Sequence, residues 1–313
     1  MENFKIYWNN ICLLRKKEEE FINSFFRKES NYNFDITYFG LGMPLKLKSK
    51  IVGDLEENSD INADLVISTE LDIFWDKNIL GNKDIFKNLK DTFDIKDYIK
   101  NSNVLANEKS ELSAFLLLPE LICVNTLALN GLEEPLSLKD LTLPKYKGRI
   151  VIGGKDTAAG RIIAICIWYL YGLDYLLKFM DNVNFVKVPA MALGLLKKGA
   201  YPIGILPSIL AGRDLKTIFP SDGIPVIPTY AVIHKNANYI LAKKFLDFLL
   251  GEEFQEFYSS RGYLLPANKN INYSKDLYPE KDLNLLYPAW DFIMNFDIKK
   301  FYEIMDSPET SFK

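Results

Sequence analysis

Phe4-Lys5-Ile6-Tyr7-Trp8 opens the chain as a strand, residues 11–28 follow as a helix, and Asp35-Ile36-Thr37-Tyr38-Phe39 returns as a second strand. The helix is read from Leu14, Phe21, Ile22, Phe25 and Phe26, which share one face at 3.6 residues per turn. Gly40 and Gly42 end the second strand. A helix carrying Leu45, Leu47 and Ile51 then leads to a third short apolar run, Asp64-Leu65-Val66-Ile67-Ser68. This βαβαβ order predicts an α/β fold with a mainly parallel sheet covered by helices on both faces. Ligands of such sheets sit beyond the carboxyl ends of the strands, so the loops starting at Trp8, Gly40 and Ser68 are expected to share one rim.

The pattern restarts in mid-chain. Leu121 to Asn125 reads as a strand, and Pro135 to Gly148 as a proline-punctuated connection. Arg149 to Gly153 is another strand, running through Gly154-Lys155-Asp156-Thr157-Ala158-Ala159-Gly160 into a helix over 159–172. Tyr201 to Leu206 is a strand stopping at Pro207-Ser208. The prolines of Ile224-Pro225-Val226-Ile227-Pro228 mark an edge or a crossover. Asn238–Leu250 is an amphipathic helix stopped by Gly251. At 313 residues the chain exceeds the usual single core. Two doubly wound lobes are expected: residues 1–118 with 224–313, and an inserted lobe over 119–223, joined by crossover strands.

Composition narrows the function. A net charge of −3, with Lys and Arg dispersed, excludes a nucleic-acid footprint. Cys12, Cys123 and Cys166 have neither zinc nor redox spacing and read as inert buried thiols. No window reaches the length of a membrane span. The start has no basic leader before an apolar run. An extracytoplasmic location is therefore expected if a leader was trimmed, and a cytoplasmic one if Met1 is the native start.

Four stretches resemble one family. Leu121 to Asn125, with Glu134-Pro135-Leu136-Ser137-Leu138-Lys139-Asp140-Leu141, is similar to a hinge strand and the segment after it, with Leu138 where that family often has Trp. Pro144-Lys145-Tyr146-Lys147-Gly148-Arg149-Ile150, Phe219-Pro220-Ser221-Asp222-Gly223 and Gly262-Tyr263-Leu264-Leu265-Pro266 follow in register. Together they resemble the type 2 periplasmic solute-binding proteins of ABC importers, in the ferric-iron, polyamine, thiamine and phosphonate branch. The resemblance covers residues 4–270. It implies a monomer that closes on a small ligand and then docks on transporter membrane subunits, with no cofactor.

The candidate ligand residues combine chemistry with that resemblance. The Gly153–Gly160 turn leaves backbone N–H groups at a helix start, where an anion is favoured, so Gly154, Lys155, Asp156, Thr157 and Ala158 are candidates. An ordinary capped turn explains the same residues. Ser68 and Thr69 offer hydroxyls after the third strand, or cap the next helix. Gly40 and Gly42 allow close backbone approach or simply end a strand. Trp8 and Asn9 face either the cleft or, for Trp8, the core. Ser208 closes a strand of the other lobe, and Tyr230 faces the hinge core or the cleft. His234, the sole histidine, reads as a surface residue. Ferric members of the family use neighbouring tyrosines just after the strand equivalent to 201–206. Here Pro207-Ser208-Ile209-Leu210 stands there instead, which argues against iron and leaves no metal site expected.

Reversible capture of a small, anionic solute is the leading expectation. A cytosolic sensor or scavenger and a ferric-iron binder are alternatives. A thiaminase-like enzyme is a further one, and it requires Cys12 beside Glu70 or Asp72.

Overall fold

The computed structural model describes residues 3–9, 11, 13–29, 32–40, 43, 46–80, 84–87, 89, 94–105, 111–212, 215–279 and 282–306. Gly42 and Cys12 lie outside them. The first part of the chain forms β1 (Asn3–Asn9), α1 (Arg15–Lys28), β2 (Asn33–Phe39), α2 (Leu47–Asn58), β3 (Leu65–Ser68), α3 (Leu71–Trp75) and α4 (Asp97–Lys100). A twelve-residue strand, β4 (Ser113–Val124), follows. Next come β5 (Ile150–Gly153), α5 (Ala158–Tyr171), α6 (Leu173–Asn182), β6 (Val183–Val186), α7 (Pro189–Lys197), β7 (Ile203–Pro207), β8 (Lys216–Ile218) and β9 (Ile224–Ile233). The chain ends with α8 (Tyr239–Leu249), α9 (Glu252–Gly262), β10 (Leu265–Pro266), β11 (Leu285–Leu286), α10 (Trp290–Asn295) and α11 (Ile298–Asp306).

The eleven strands among the described residues join one mixed sheet in the order β2-β1-β3-β9-β4-β7-β5-β6, with β8 and β10 on β4 and β11 on β9. β4 and β9 are the crossover. The first half of β4 pairs with β9, and its second half with β7 and β8. Both crossover strands are buried throughout, which explains their largely apolar sequences. Leu121 to Asn125 marks only the far half of β4, because Pro119 interrupts the apolar run without ending the strand.

Near β1 the core is aromatic. Trp8 packs edge-on to Phe245 and Phe254 and tilts against Phe115. On the β5 side, α5 is buried through its middle, from Ile162 to Ile167, and its Trp168 meets Phe292, Phe296 and Phe301 of the C-terminal segment. That segment therefore packs on α5 as well as on the first part of the chain.

The signature stretches prove to be structural ties. Asp222 accepts the N–H groups of Leu138 (2.9 Å) and Lys139 (3.1 Å) and the hydroxyl of Tyr171 (2.6 Å). Asp140 accepts those of Leu136 and Ser137, while the Ser137 hydroxyl accepts from Asp140 N–H. Gly223 and Gly148 hold positive φ, at 125° and 68°. The contacts of Asp140 and Asp222 thus tie the 134–141 and 219–223 stretches to each other and to α5. His234 departs from its expected place. It is 7% exposed, and its Nε2 lies 2.9 Å from the Asp60 carboxylate, while Nδ1 accepts the Asn236 N–H.

Candidate ligand-binding cleft

Strand direction creates the cleft. β1, β2 and β3 are parallel, and β9 is antiparallel to β3. β4 is antiparallel to both β9 and β7, and β5 is parallel to β7 and β6. The two sets of carboxyl ends therefore approach one another from opposite ends of the crossover ribbon. Ser68 ends β3 level with Tyr230 and Ala114, whereas Pro207 ends β7 level with Glu120. At ~3.4 Å per residue, roughly 17–20 Å of ribbon separates the rims.

A cavity of about 210 Å³ stands over that stretch, with the paired residues Leu118 and Ile227 as its floor. Ile11, Leu13 and Thr69 wall it from the first rim. Pro207, Ile209 and Leu210, together with the starts of α5 and α7, wall it from the second. Neither helix start has a side-chain cap, and the Thr157 hydroxyl donates back to the Gly154 carbonyl at 2.7 Å. The first-turn N–H groups of α5 have no intrahelical acceptors, and the helix dipole favours negative charge beside them. Three glycines hold this turn closed. A Cβ on Gly153 would fall 2.3 Å from Pro189 Cα, and one on Gly160 2.4 Å from the Gly154 carbonyl oxygen, while Gly154 has a φ of 74°.

A charged cluster flanks the cavity. Asp72 Oδ2 accepts from Arg161 (2.8 Å), Tyr302 (3.0 Å) and Lys48 (3.2 Å), so α3, α5, α11 and α2 meet at one oxygen. Burial pushes the Asp72 carboxyl up, but Arg161, Lys48 and Tyr302 outweigh it and hold the carboxyl below the usual aspartate range. Glu70 behaves oppositely. Burial first, and then the charge of Asp72, raise its pKa from 4.5 to about 7. Its carboxylate accepts the Asn9 amide at 2.8 Å.

Glu70 makes stability depend on pH. Between about 4.5 and 7 the folded protein holds a proton that the unfolded chain has released, so stability declines as pH rises through that window and stays lowered above it. Glu70→Gln removes this slope. Thermal melts from pH 5 to 8, at about one-unit steps, are expected to converge for the variant and diverge for the parent protein.

The candidate residues occupy distinct places. Thr69, Thr157 and Ala158 line the cavity, and Gly154 braces the turn beneath α5. Lys155 is half-buried and Asp156 exposed, and neither is among the cavity's described lining residues. Asn9 is engaged by Glu70, and the buried Ser68 accepts the Glu70 N–H at 2.9 Å, the helix-entry alternative for that hydroxyl. Trp8 and Tyr230 take their core alternatives. The Tyr230 hydroxyl donates to Val104 O (2.7 Å) and lies 3.0 Å from the Tyr287 hydroxyl. Ser208 is buried beside Tyr278, although its neighbours Pro207 and Ile209 reach the cavity. Gly40 ends β2 at φ 123°. Burial raises the Cys123 thiol to about 12 and the Cys166 thiol well above its usual value, so both are inert. Sequence reasoning missed Leu118, Ile227, the α7 start and the partners of Asp72. Pro189, favoured at a first helical position, was the one available signal for α7.

Comparison with known proteins agrees with this architecture. The family model for bacterial extracellular solute-binding proteins matches residues 60–295. The periplasmic binding protein P5PA is 21% identical, with 98% of each chain covered and a TM-score of 0.68. Iron-bound HitA from Pseudomonas aeruginosa is 14% identical over 97% of this chain and 98% of its own, at a TM-score of 0.74. AfuA from Actinobacillus pleuropneumoniae, solved with fructose-6-phosphate, is 20% identical over 96% and 97%, at 0.69. No curated protein matches the sequence. The chain belongs to the bacterial extracellular solute-binding proteins, with the two-lobed type 2 periplasmic fold that serves ABC importers.

Proposed function

We propose that this protein captures a small organic anion in the cleft, by rotation of residues 119–223 against the remainder about β4 and β9, and delivers it to importer membrane subunits outside the cytoplasmic membrane. The observation that carries this reading is the open cavity of about 210 Å³ lying between opposed carboxyl ends and standing on the crossover itself. A ligand touching both rims stabilises the closed arrangement by its extra contacts there. The described lining is apolar side chains, the hydroxyls of Thr69 and Thr157, and helix starts, with no carboxylate or phenol. Such walls favour an anion with an apolar body over a ferric ion, which takes anionic oxygen ligands. The fructose-6-phosphate of AfuA supports the same chemical class.

Ala159→Glu tests the reading. Its carboxylate is placed in the first turn of α5, where the helix tolerates negative charge, while filling the anion's place. The variant is expected to melt as the parent does. It should also lose every thermal shift that a library of carboxylates and phosphate esters produces, and carry no small-molecule adduct in native mass spectra. Shifts or an adduct retained in Ala159→Glu would place the ligand elsewhere.

A further inference from the structure

Two polar side chains beside the cavity floor have no bonding partner among the described residues. Glu120 is 1% exposed with neither carboxyl oxygen bonded, and Thr229 is 3% exposed with its hydroxyl unbonded. Buried polar groups are nearly always paired, so two orphans flanking one cavity point to something that pairs them. Neither is among the cavity's described lining residues, but register places both on the cavity's face of the ribbon. Leu118 and Ile227 are directly paired and both line the cavity, so they share a face of the ribbon. Glu120 is two residues beyond Leu118, and Thr229 two beyond Ile227 and level with Leu116, so the period of two returns each to that face at opposite ends of the floor, ~14 Å apart along the ribbon. The irregularity in β4 lies between Ala114 and Leu116, before this stretch.

Glu120 also stands level with Pro207, which lines the cavity. β7 separates it from β5, whose end carries the turn into α5. The orphan carboxyl and the α5 start thus lie two inter-strand spacings apart, about 10 Å between backbones. A small molecule with one polar group at each end bridges that span.

We propose that Glu120 receives the amino group of the captured solute, which makes the ligand a small zwitterion of the amino-acid class. Its carboxylate would lie at the start of α5 and its ammonium at the cleft floor. This deepens the capture reading and rests on it. An ammonium fits better than a hydroxyl. It brings three donors to a carboxyl with two free oxygens, and its charge compensates the buried carboxylate. Burial pushes the Glu120 carboxyl well above its usual range, and an ammonium beside it would offset that desolvation.

The test uses the full chain and matched trios: L-alanine, L-leucine and L-phenylalanine, each beside its 2-hydroxy acid and its unsubstituted acid. Thermal shift is expected only with amino acids. Glu120→Gln, which keeps shape but loses the charge, should weaken binding roughly tenfold or more. Glu120→Leu should abolish binding while raising the ligand-free melting temperature, because it removes an unpaired buried carboxyl. Equal shifts from acids lacking the amino group, or undiminished binding by Glu120→Gln, overturn the role of Glu120. If Ala159→Glu abolishes those shifts, the capture reading stands. A parent protein that no probe shifts overturns the zwitterion, and the adduct measurement above then decides capture separately.

Discussion

Asp72→Ala is expected to lose about 3–5 kcal/mol of folding stability, read by denaturant titration near neutral pH. The magnitude follows from what the carboxylate leaves behind. Its side chain is 10% exposed and that of Arg161 18%, and one oxygen serves Arg161, Lys48 and Tyr302 together. Arg161 Nε already has no partner among the described residues. Removal of Asp72 would strand the remaining guanidinium N–H groups in a half-dry site, and stranding a buried charge costs more than the pair gains. Asp72→Asn keeps an acceptor and should cost less. Since α5 belongs to the 119–223 segment and α2 and α3 to the first rim, the variant should also populate a more open shape, visible as a larger radius in solution scattering. The pH dependence has the sign of a depressed acid. The contribution is present above the ordinary aspartate value of 3.8 and is lost as pH falls through the lowered folded value. A loss below about 1 kcal/mol would mean that water screens the cluster as it does a surface ion pair.

Gly153→Ala is expected to cost about 3 kcal/mol and to disturb ligand capture together with stability. The new methyl group would meet Pro189 Cα and N at 2.3 Å and Val188 C at 2.5 Å, all backbone atoms at the start of α7. No rotamer change relieves a backbone clash, so β5 and α7 must separate. Val188, Pro189 and Ala190 line the cavity, so that separation moves one wall of it. A parallel Gly194→Ala control, on the same helix with open space at its Cβ, should leave stability unchanged or slightly raised. If Gly153→Ala melts like that control, the contact between β5 and α7 does not hold the cleft wall.

The strands were legible because short apolar runs bounded by glycine and proline carry their own signal. Phe4 to Trp8, Leu65 to Ser68 and Ile150 to Gly153 needed no tertiary context. The helices over 15–28 and 239–249 were equally plain from their apolar spacing. Family membership was legible for a related reason. Asp222, Asp140, Gly148 and Gly223 sit at fixed loop geometries, which demand particular residues at particular spacings.

The site is different, because it is assembled from positions far apart in the chain. Lys48, Asp72, Arg161 and Tyr302 meet only once α2, α3, α5 and α11 have packed. Alternation along a strand tells which residues share a face, but not which face a helix will cover. Trp8 and Tyr230 were therefore ambiguous until Phe245 and Phe254 closed over one, and Tyr287 and Val104 over the other. For the same reason nothing in the sequence singled out Glu120, which precedes the strand read from Leu121. Sequence by itself determined the elements, their order and the family, since these depend on local conformation and periodicity. Only the tertiary structure decided which polar groups face the cleft and which are left without partners, since pairing depends on distance between chain segments and not on separation along them.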